Sequence, residues 1–319
     1  MIVEIRVPMP LKTEEFNRGW LYMVVAACEE VSEGDDGAGV VVLKNEPYDN
    51  TDGHLGYSEL SSQEIPKNKG QYTLKQYFLG SRIPSWLRYL LPDGLFFLYE
   101  EAWNAYPDCL TILTSKYFAH KTLRIMVRTL FKDNNKGDDE NPHDLTKEEL
   151  AERKIHKLDI MKQDKSDKDY QKKYDPVGYV SETTGRGPLP EDWMDTTEPV
   201  MCCYKLIKVT VKVWGVQTRA ENAVINGQKK LFLRTHGQAF TMLDGYFPLT
   251  MEDIRVLEAE AKEKLELLKE KSNEKQGSKK PSKKQSKKKK APKTQEDVEK
   301  NTSREKIEDN NDKKLPATT

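Results

Sequence analysis

Apolar and polar positions alternate with period two over IVEIRVPMP, where Val3, Ile5 and Val7 share a face, and this predicts a first strand. From Thr13, placed to cap, apolar residues recur at helical spacing (Phe16, Trp20, Met23, Val24, Ala27, Val31) and predict an amphipathic helix ended by the loop EGDDGAG. GVVVLKNEPY reads as a buried strand stopped by Pro47, residues 48–69 as a polar loop, and 70–80 as another strand. The apolar SRIPSWLRYLLPDG is bracketed by Pro84 and Pro92. FFLYEEAWNAYPDCLTILTSKYF predicts one or two strands and TLRIMVRTLF another. Residues 132–147 read as an exposed loop, followed by a short helix from a capping box of Thr146 and Glu149. Ile155, Leu158 and Ile160 mark a weak strand, and MCCYKLIKVTVKVWG a long one. ENAVINGQKKLFLRTHGQAFTML predicts a long helix interrupted at Gly227 and Gly237. A last helix starts at Thr250, with Ile254, Leu257, Ala261, Leu265 and Leu268 as its stripe.

Strand, helix, many strands without intervening helices, then two helices is an α+β order with a mostly antiparallel sheet. After residue 271 the composition changes. SKKPSKKQSKKKKAPK cannot build a core, so the chain divides into a folded domain, 1–271, and a disordered lysine-rich tail, 272–319. The formal charge of zero hides this asymmetry: ten lysines and no acidic residue lie between Lys275 and Lys293, so the folded part is net acidic. Cys28, Cys109, Cys202 and Cys203 have no metal-ligand spacing, and a reduced, cytosolic compartment is expected. The N-terminus lacks a basic leader with an apolar core, and no apolar run reaches the ~20 residues that span a bilayer. No GxSxG elbow, HExxH, Walker loop or paired CxxC is present, and the histidines at 54, 120, 143, 156 and 236 have no obvious partner. This argues against an enzyme, and no cofactor is expected.

The most informative segment is GQYTLKQYFL, residues 70–79. Alternation places Thr73 and Lys75 on one face with Tyr77 and Leu79. A lysine on an inward face is costly unless something anionic or hydrogen-bonding meets it. Glu258 sits on the apolar side of the last helix. Such polar groups in an apolar setting point to a ligand with a greasy body and a polar head.

KNEPY, GQYTLK, IPSWLRYLLPDG, EEAWNAYPDC, TGRGPLPEDW, CCYKLIKVTVKVWGVQTRAEN and LTMEDIRVLEAE, in this order, resemble class I phosphatidylinositol transfer proteins. The resemblance implies a helix-grip fold, similar to the StAR-related lipid transfer domain, in which a curved antiparallel sheet and long helices enclose one phospholipid. It implies inositol contacts at Thr73, Lys75, Asn104 and Glu258, and phosphate-side contacts at Thr111, Thr129 and Lys205. Cys109 matches a thiol in the lipid cavity. Inositol hydroxyls need donors and acceptors together, which a carboxylate, an ammonium and an asparagine supply.

The chain also departs from that family. Trp20 replaces a glutamine near the head group, and a membrane-touching tryptophan pair becomes Val213 and Trp214. Ser181 aligns with a serine proposed as a regulatory phosphorylation site, here flanked by Val180 and Glu182 instead of lysines. The segment with Ile83, Trp86, Leu87 and Leu90 reads either as a core helix or, favoured by its prolines and Arg82 and Arg88, as a membrane-docking lid. Trp214 divides evenly between core packing and docking. The tail reads as a solubilising linker, a nucleic-acid arm or an attractor for anionic membranes. The membrane is favoured, and the absence of aromatic residues counts against nucleic acid. The expected function is that of a monomeric cytoplasmic protein that binds one phosphatidylinositol or phosphatidylcholine and exchanges it between membranes it touches transiently. The alternative is a lipid-binding scaffold recruited by its tail without net transfer.

Overall fold

The computed structural model describes residues 1–31, 40–78, 97–115, 123–212, 214–261 and 263. The EGDDGAG loop, the segment with Ile83, Trp86, Leu87 and Leu90, Val213, and the chain from 264 on, tail included, lie outside the described residues. The strands are β1 (Ile2–Met9), β2 (Val40–Asp49), β3 (Lys69–Phe78), β4 (Phe97–Ala105), β5 (Asp108–Thr114), β6 (Leu123–Asp133), β7 (Lys154–Lys157) and β8 (Met201–Val211). They form one open sheet in the order β2-β3-β4-β5-β6-β8-β1-β7. All pairings are antiparallel except that of β1 with β7. The helices are α1 (Thr13–Val31), α2 (Lys147–Glu152), α3 (Trp193–Thr196), α4 (Gln217–Thr241), α5 (Leu243–Tyr246) and α6 (251–261). This is the expected α+β architecture, consistent with a helix grip.

Alternation divides the strands between two faces. On the front face, Val3, Ile5, Val7 and Met9 of β1 join Met201, Cys203, Ile207 and Val209 of β8 in the main core. Helices α1 and α4 cover it with Phe16, Met23, Ala220, Ile225, Phe232 and Phe240. Each such large side chain contributes roughly 1.5–3 kcal/mol when fully buried. The back face carries a second cluster, Trp103, Leu110 and Ile112, packed by Tyr48, Ile65 and Tyr72. Glu100 and Glu101 are neighbours that serve opposite faces. Glu101 is buried at the back, accepting from Ser58 Oγ (2.7 Å) and Tyr72 Oη (2.9 Å).

Local expectations are revised at four places. Thr13 lies inside α1 instead of capping it. Its N–H and hydroxyl donate to Asp133 (2.6 and 2.7 Å), tying α1 to the end of β6, while the Lys12 N–H donates to Glu15 (2.8 Å). Strand β2 is an exposed edge rather than a buried strand, and it continues through Pro47. An edge strand tolerates the missing N–H. Helix α4 runs unbroken through both glycines. At Gly237 a β-carbon would meet the amide end of the Gln163 side chain, which packs against this turn of the helix. The 132–147 loop is packed, with Pro142, His143 and Leu145 buried and the Gly137 carbonyl accepting from Arg6 (2.7 Å). The capping box of α2 forms as expected.

Candidate functional site

Residues opposite each other in antiparallel strands share a face, so the register maps the front face directly. One row runs Lys205, Thr129, Cys109, Asn104 and Gln71 across β8, β6, β5, β4 and β3. The next runs Ile207, Val127, Thr111, Ala102 and Thr73. A third runs Val209, Ile125, Leu113, Glu100 and Lys75. Seven candidates from five strands (Thr73, Lys75, Asn104, Cys109, Thr111, Thr129 and Lys205) therefore lie on one face, within three adjacent rows. The rows meet closely at β3 and β4: a β-carbon on Gly70 would overlap the Asn104 carbonyl oxygen, so glycine is required there.

The β3–β4 end is polar and half-buried. Lys75 Nζ donates to Glu100 at 3.2 Å, and Tyr77 Oη donates to the other Glu100 oxygen at 3.0 Å. Thr73 Oγ1 is buried and, among the described residues, without a hydrogen-bond partner. Such an orphan costs about 1–3 kcal/mol relative to a satisfied hydroxyl, and it marks a place where a hydroxyl-rich ligand would be welcome. Asn104 is exposed, its Nδ2 donating to the Gln71 carbonyl at 3.2 Å and its amide oxygen available as an acceptor. Glu100 and Tyr77 join the site although neither is among the expected ligand contacts: Glu100 opens the EEAWNAYPDC motif, and Tyr77 shares the face of Thr73 and Lys75. The signal for Glu100 is alternation, since it lies two and four residues before Ala102 and Asn104 on the same face.

The β6–β8 end has a different chemistry. Lys205 is only 6 % exposed, and among the described residues no carboxylate or hydrogen-bond acceptor meets its ammonium. Its Nζ rests over the Phe232 and Phe131 rings, 4.7 and 5.7 Å from their centroids. Burial pulls its pKa below the ordinary lysine value. Burial likewise pushes the Cys109 thiol up to about 11, against the pull of Lys205, so it stays protonated and is no nucleophile. Thr129, opposite both Lys205 and Cys109, is buried. Rings partly compensate a cation, but a buried ammonium without an anion is a strong pointer to an anionic ligand.

Three candidates stand apart from these rows. Glu258 pairs with Arg255 on α6 at 2.5 Å, and no hydrogen bond or ion pair among the described residues joins it to Thr73 or Lys75. Trp20 is 37 % exposed, its ring 6.1 Å from Phe16 and 6.4 Å from His236. Trp214 is 99 % exposed. Ser181 is buried, donating to Asp244 at 2.5 Å. Asp244 also accepts from Tyr179 Oη (3.0 Å) and the Glu182 and Thr183 amides (3.1 and 2.9 Å). Partial burial opposes its charge, but these donors outweigh it and hold the carboxyl far below the usual range. No group of His, Cys, Asp or Glu among the described residues is arranged to hold a metal ion, and no described helix is long and apolar enough to cross a membrane.

Known proteins resemble the chain along most of its length. A family described as phosphatidylinositol transfer protein matches residues 1–263. Phosphatidylinositol transfer protein 1 of Dictyostelium discoideum is 40% identical over 276 residues, spanning 86% of this chain and 97% of its own. Cytoplasmic phosphatidylinositol transfer protein 1 of Drosophila melanogaster is 38% identical over 269 residues, spanning 83% and 91%. The rat phosphatidylinositol transfer protein beta isoform is 37% identical over 279 residues, spanning 86% and 96%.

Proposed function

The chain belongs to the phosphatidylinositol transfer protein family, and from that premise we propose how it carries its lipid. The protein takes one phospholipid onto the front face of its sheet and exchanges it between membranes. Phosphatidylinositol is one cargo and phosphatidylcholine the second. The inositol ring meets Thr73, Lys75, Asn104 and Glu258, with Glu100 and Tyr77 holding Lys75 in place. The phosphate, common to both lipids, meets Thr111, Thr129 and Lys205, beside Cys109 and near Trp20. Acyl chains lie along the apolar positions of the neighbouring rows. Burying them is worth ~0.8 kcal/mol per methylene, so transfer through water is slow unless the protein opens against the bilayer. The 83–91 segment and the bare indole of Trp214 are the docking elements, and the tail supplies attraction to anionic surfaces. The protein works as a monomer in the cytoplasm and touches membranes transiently.

The observation that carries this reading is the buried Lys205 ammonium, which no anion among the described residues answers. A phosphodiester answers it. The test is the lipid content of protein purified from cells, beside vesicle-to-vesicle transfer of each lipid. One phosphatidylinositol or phosphatidylcholine per protein, with both transferred, is expected. Lipid-free protein that moves neither lipid would overturn the reading, and a chemically converted lipid would make the protein an enzyme.

A further inference from the structure

Helix α4 sets a second nitrogen base against the ring that carries Lys205. His236 is fully buried on α4, its imidazole 5.2 Å from the Phe16 ring and 6.1 Å from that of Phe232. Its Nδ1 lies 2.8 Å from the Phe232 carbonyl oxygen one turn back. That distance requires an N–H on Nδ1, so Nε2 carries the lone pair of the neutral ring. Nε2 is buried and, among the described residues, has no hydrogen-bond partner. The same Phe232 ring bears the Lys205 ammonium at 4.7 Å. Among the described residues, the Phe232 ring thus has beside it a donor without an acceptor and an acceptor without a donor. Burial first, and then the Lys205 charge, hold His236 well below its usual pKa, in keeping with a neutral ring.

We propose that His236 is the positioning residue for Lys205. When a lipid phosphodiester draws the ammonium off the Phe131 and Phe232 rings, Nε2 accepts one of its three N–H groups, and the other two are left directed at phosphate oxygens. The inference rests on reading Lys205 as the phosphate contact. The charges balance: one ammonium meets one phosphodiester beside an uncharged imidazole, whereas an imidazolium would leave an excess positive charge in the interior. Trp20 stands 6.4 Å from the imidazole and offers only a donor, so it cannot take the place of Nε2 as acceptor.

The test uses the full chain and two vesicle sets, phosphatidylcholine alone and phosphatidylcholine doped with phosphatidylinositol. His236→Phe keeps a ring against Phe16 and removes the acceptor, so transfer of both lipids should fall about tenfold. His236→Gln, whose carbonyl oxygen accepts, should regain most of it. Thr73→Val, run alongside, should reduce phosphatidylinositol only. If Thr73→Val behaves so while His236→Phe transfers normally, the positioning role is wrong and the lipid site stands. If both variants transfer like the parent, the site reading falls with it. Histidine 15N NMR of the parent protein decides the matter even where a variant fails to fold. The Nε2 resonance of His236 should start at a lone-pair position in lipid-free protein and move on loading from phosphatidylcholine vesicles without becoming protonated. A resonance unmoved by loading, or one that takes a proton, overturns the proposal.

Discussion

The two ends of the front face answer their polar groups in opposite ways. At the β6–β8 end, helices α1 and α4 press on an apolar floor, and the Lys205 ammonium in it is met, among the described residues, by aromatic rings. At the β3–β4 end the charged groups are half-buried and already paired: Lys75 and Tyr77 share Glu100, while among the described residues the Thr73 hydroxyl is left without a partner. The first end supplies stability and a charge waiting for an anion. The second supplies a net of donors and acceptors that a polyhydroxyl ring can enter by exchanging partners. Under the proposed function, a phosphate shared by many lipids falls at the stable end, and the discriminating head group at the adaptable one.

The largest effect expected belongs to the helix-covered end. Phe240 is fully buried in the main core, packed edge-on against Tyr179 at 5.1 Å. Phe240→Ala should cost about 3–5 kcal/mol of stability in a denaturant melt, while lipid selectivity in the folded fraction stays as it was. A loss below about 1 kcal/mol, or a change of selectivity, would erase the distinction between the two ends.

Lys205→Met tests the same end from the other side. Removing an unanswered buried cation should leave the lipid-free protein as stable as before or more so. Transfer of both lipids should drop by the worth of a charged hydrogen bond, about 1.5–3 kcal/mol. A destabilised protein that still transfers normally would make Lys205 structural.

Asp244 is the carboxylate that fastens the 179–184 turn to α5, beside the helix-covered core. Its folded pKa lies below the unfolded value of roughly 3.9. The stabilisation is therefore present above that unfolded value and is lost as pH falls below it toward the folded pKa. Asp244→Asn should lower stability at neutral pH by about 1–2 kcal/mol and flatten the acid limb of a stability-versus-pH curve. An unchanged acid limb would show that the carboxylate contributes nothing there. The same network buries the Ser181 hydroxyl, so a kinase would have to open this turn to reach it.

The smallest change sharpens the polar end. Thr73→Val keeps shape and removes the unpaired hydroxyl, so thermal stability should hold or rise slightly. Phosphatidylinositol binding should weaken by about 1 kcal/mol, with phosphatidylcholine untouched. Equal losses for both lipids, measured by vesicle transfer, would move Thr73 out of the inositol site.

Element types and the class of the fold are legible in the residues alone, because period-two and period-3.6 patterns are local and the strands from Ile2 to Val211 follow them closely. Alternation by itself puts Thr73 and Lys75 on one face, and it contains Glu100 in the same pattern. Other features depend on neighbours far along the chain. Whether β2 is core or edge turns on which strands flank it: among the described residues it ends the sheet, and its four consecutive apolar residues, Val40 to Leu43, are exposed. Thr13 is no cap because Asp133, 120 residues away, claims its hydroxyl. Gly227 and Gly237 do not break α4 because packing of its apolar face against the sheet and α1 outweighs the roughly 1 kcal/mol that each glycine costs a helix. The lone ammonium of Lys205 is likewise a tertiary fact. A lysine in MCCYKLIK carries its charge in any fold, but only β6, β8 and α4 together decide that aromatic rings and, among the described residues, no carboxylate meet it. Local pattern sets which face a side chain takes, and long-range packing sets what it meets there.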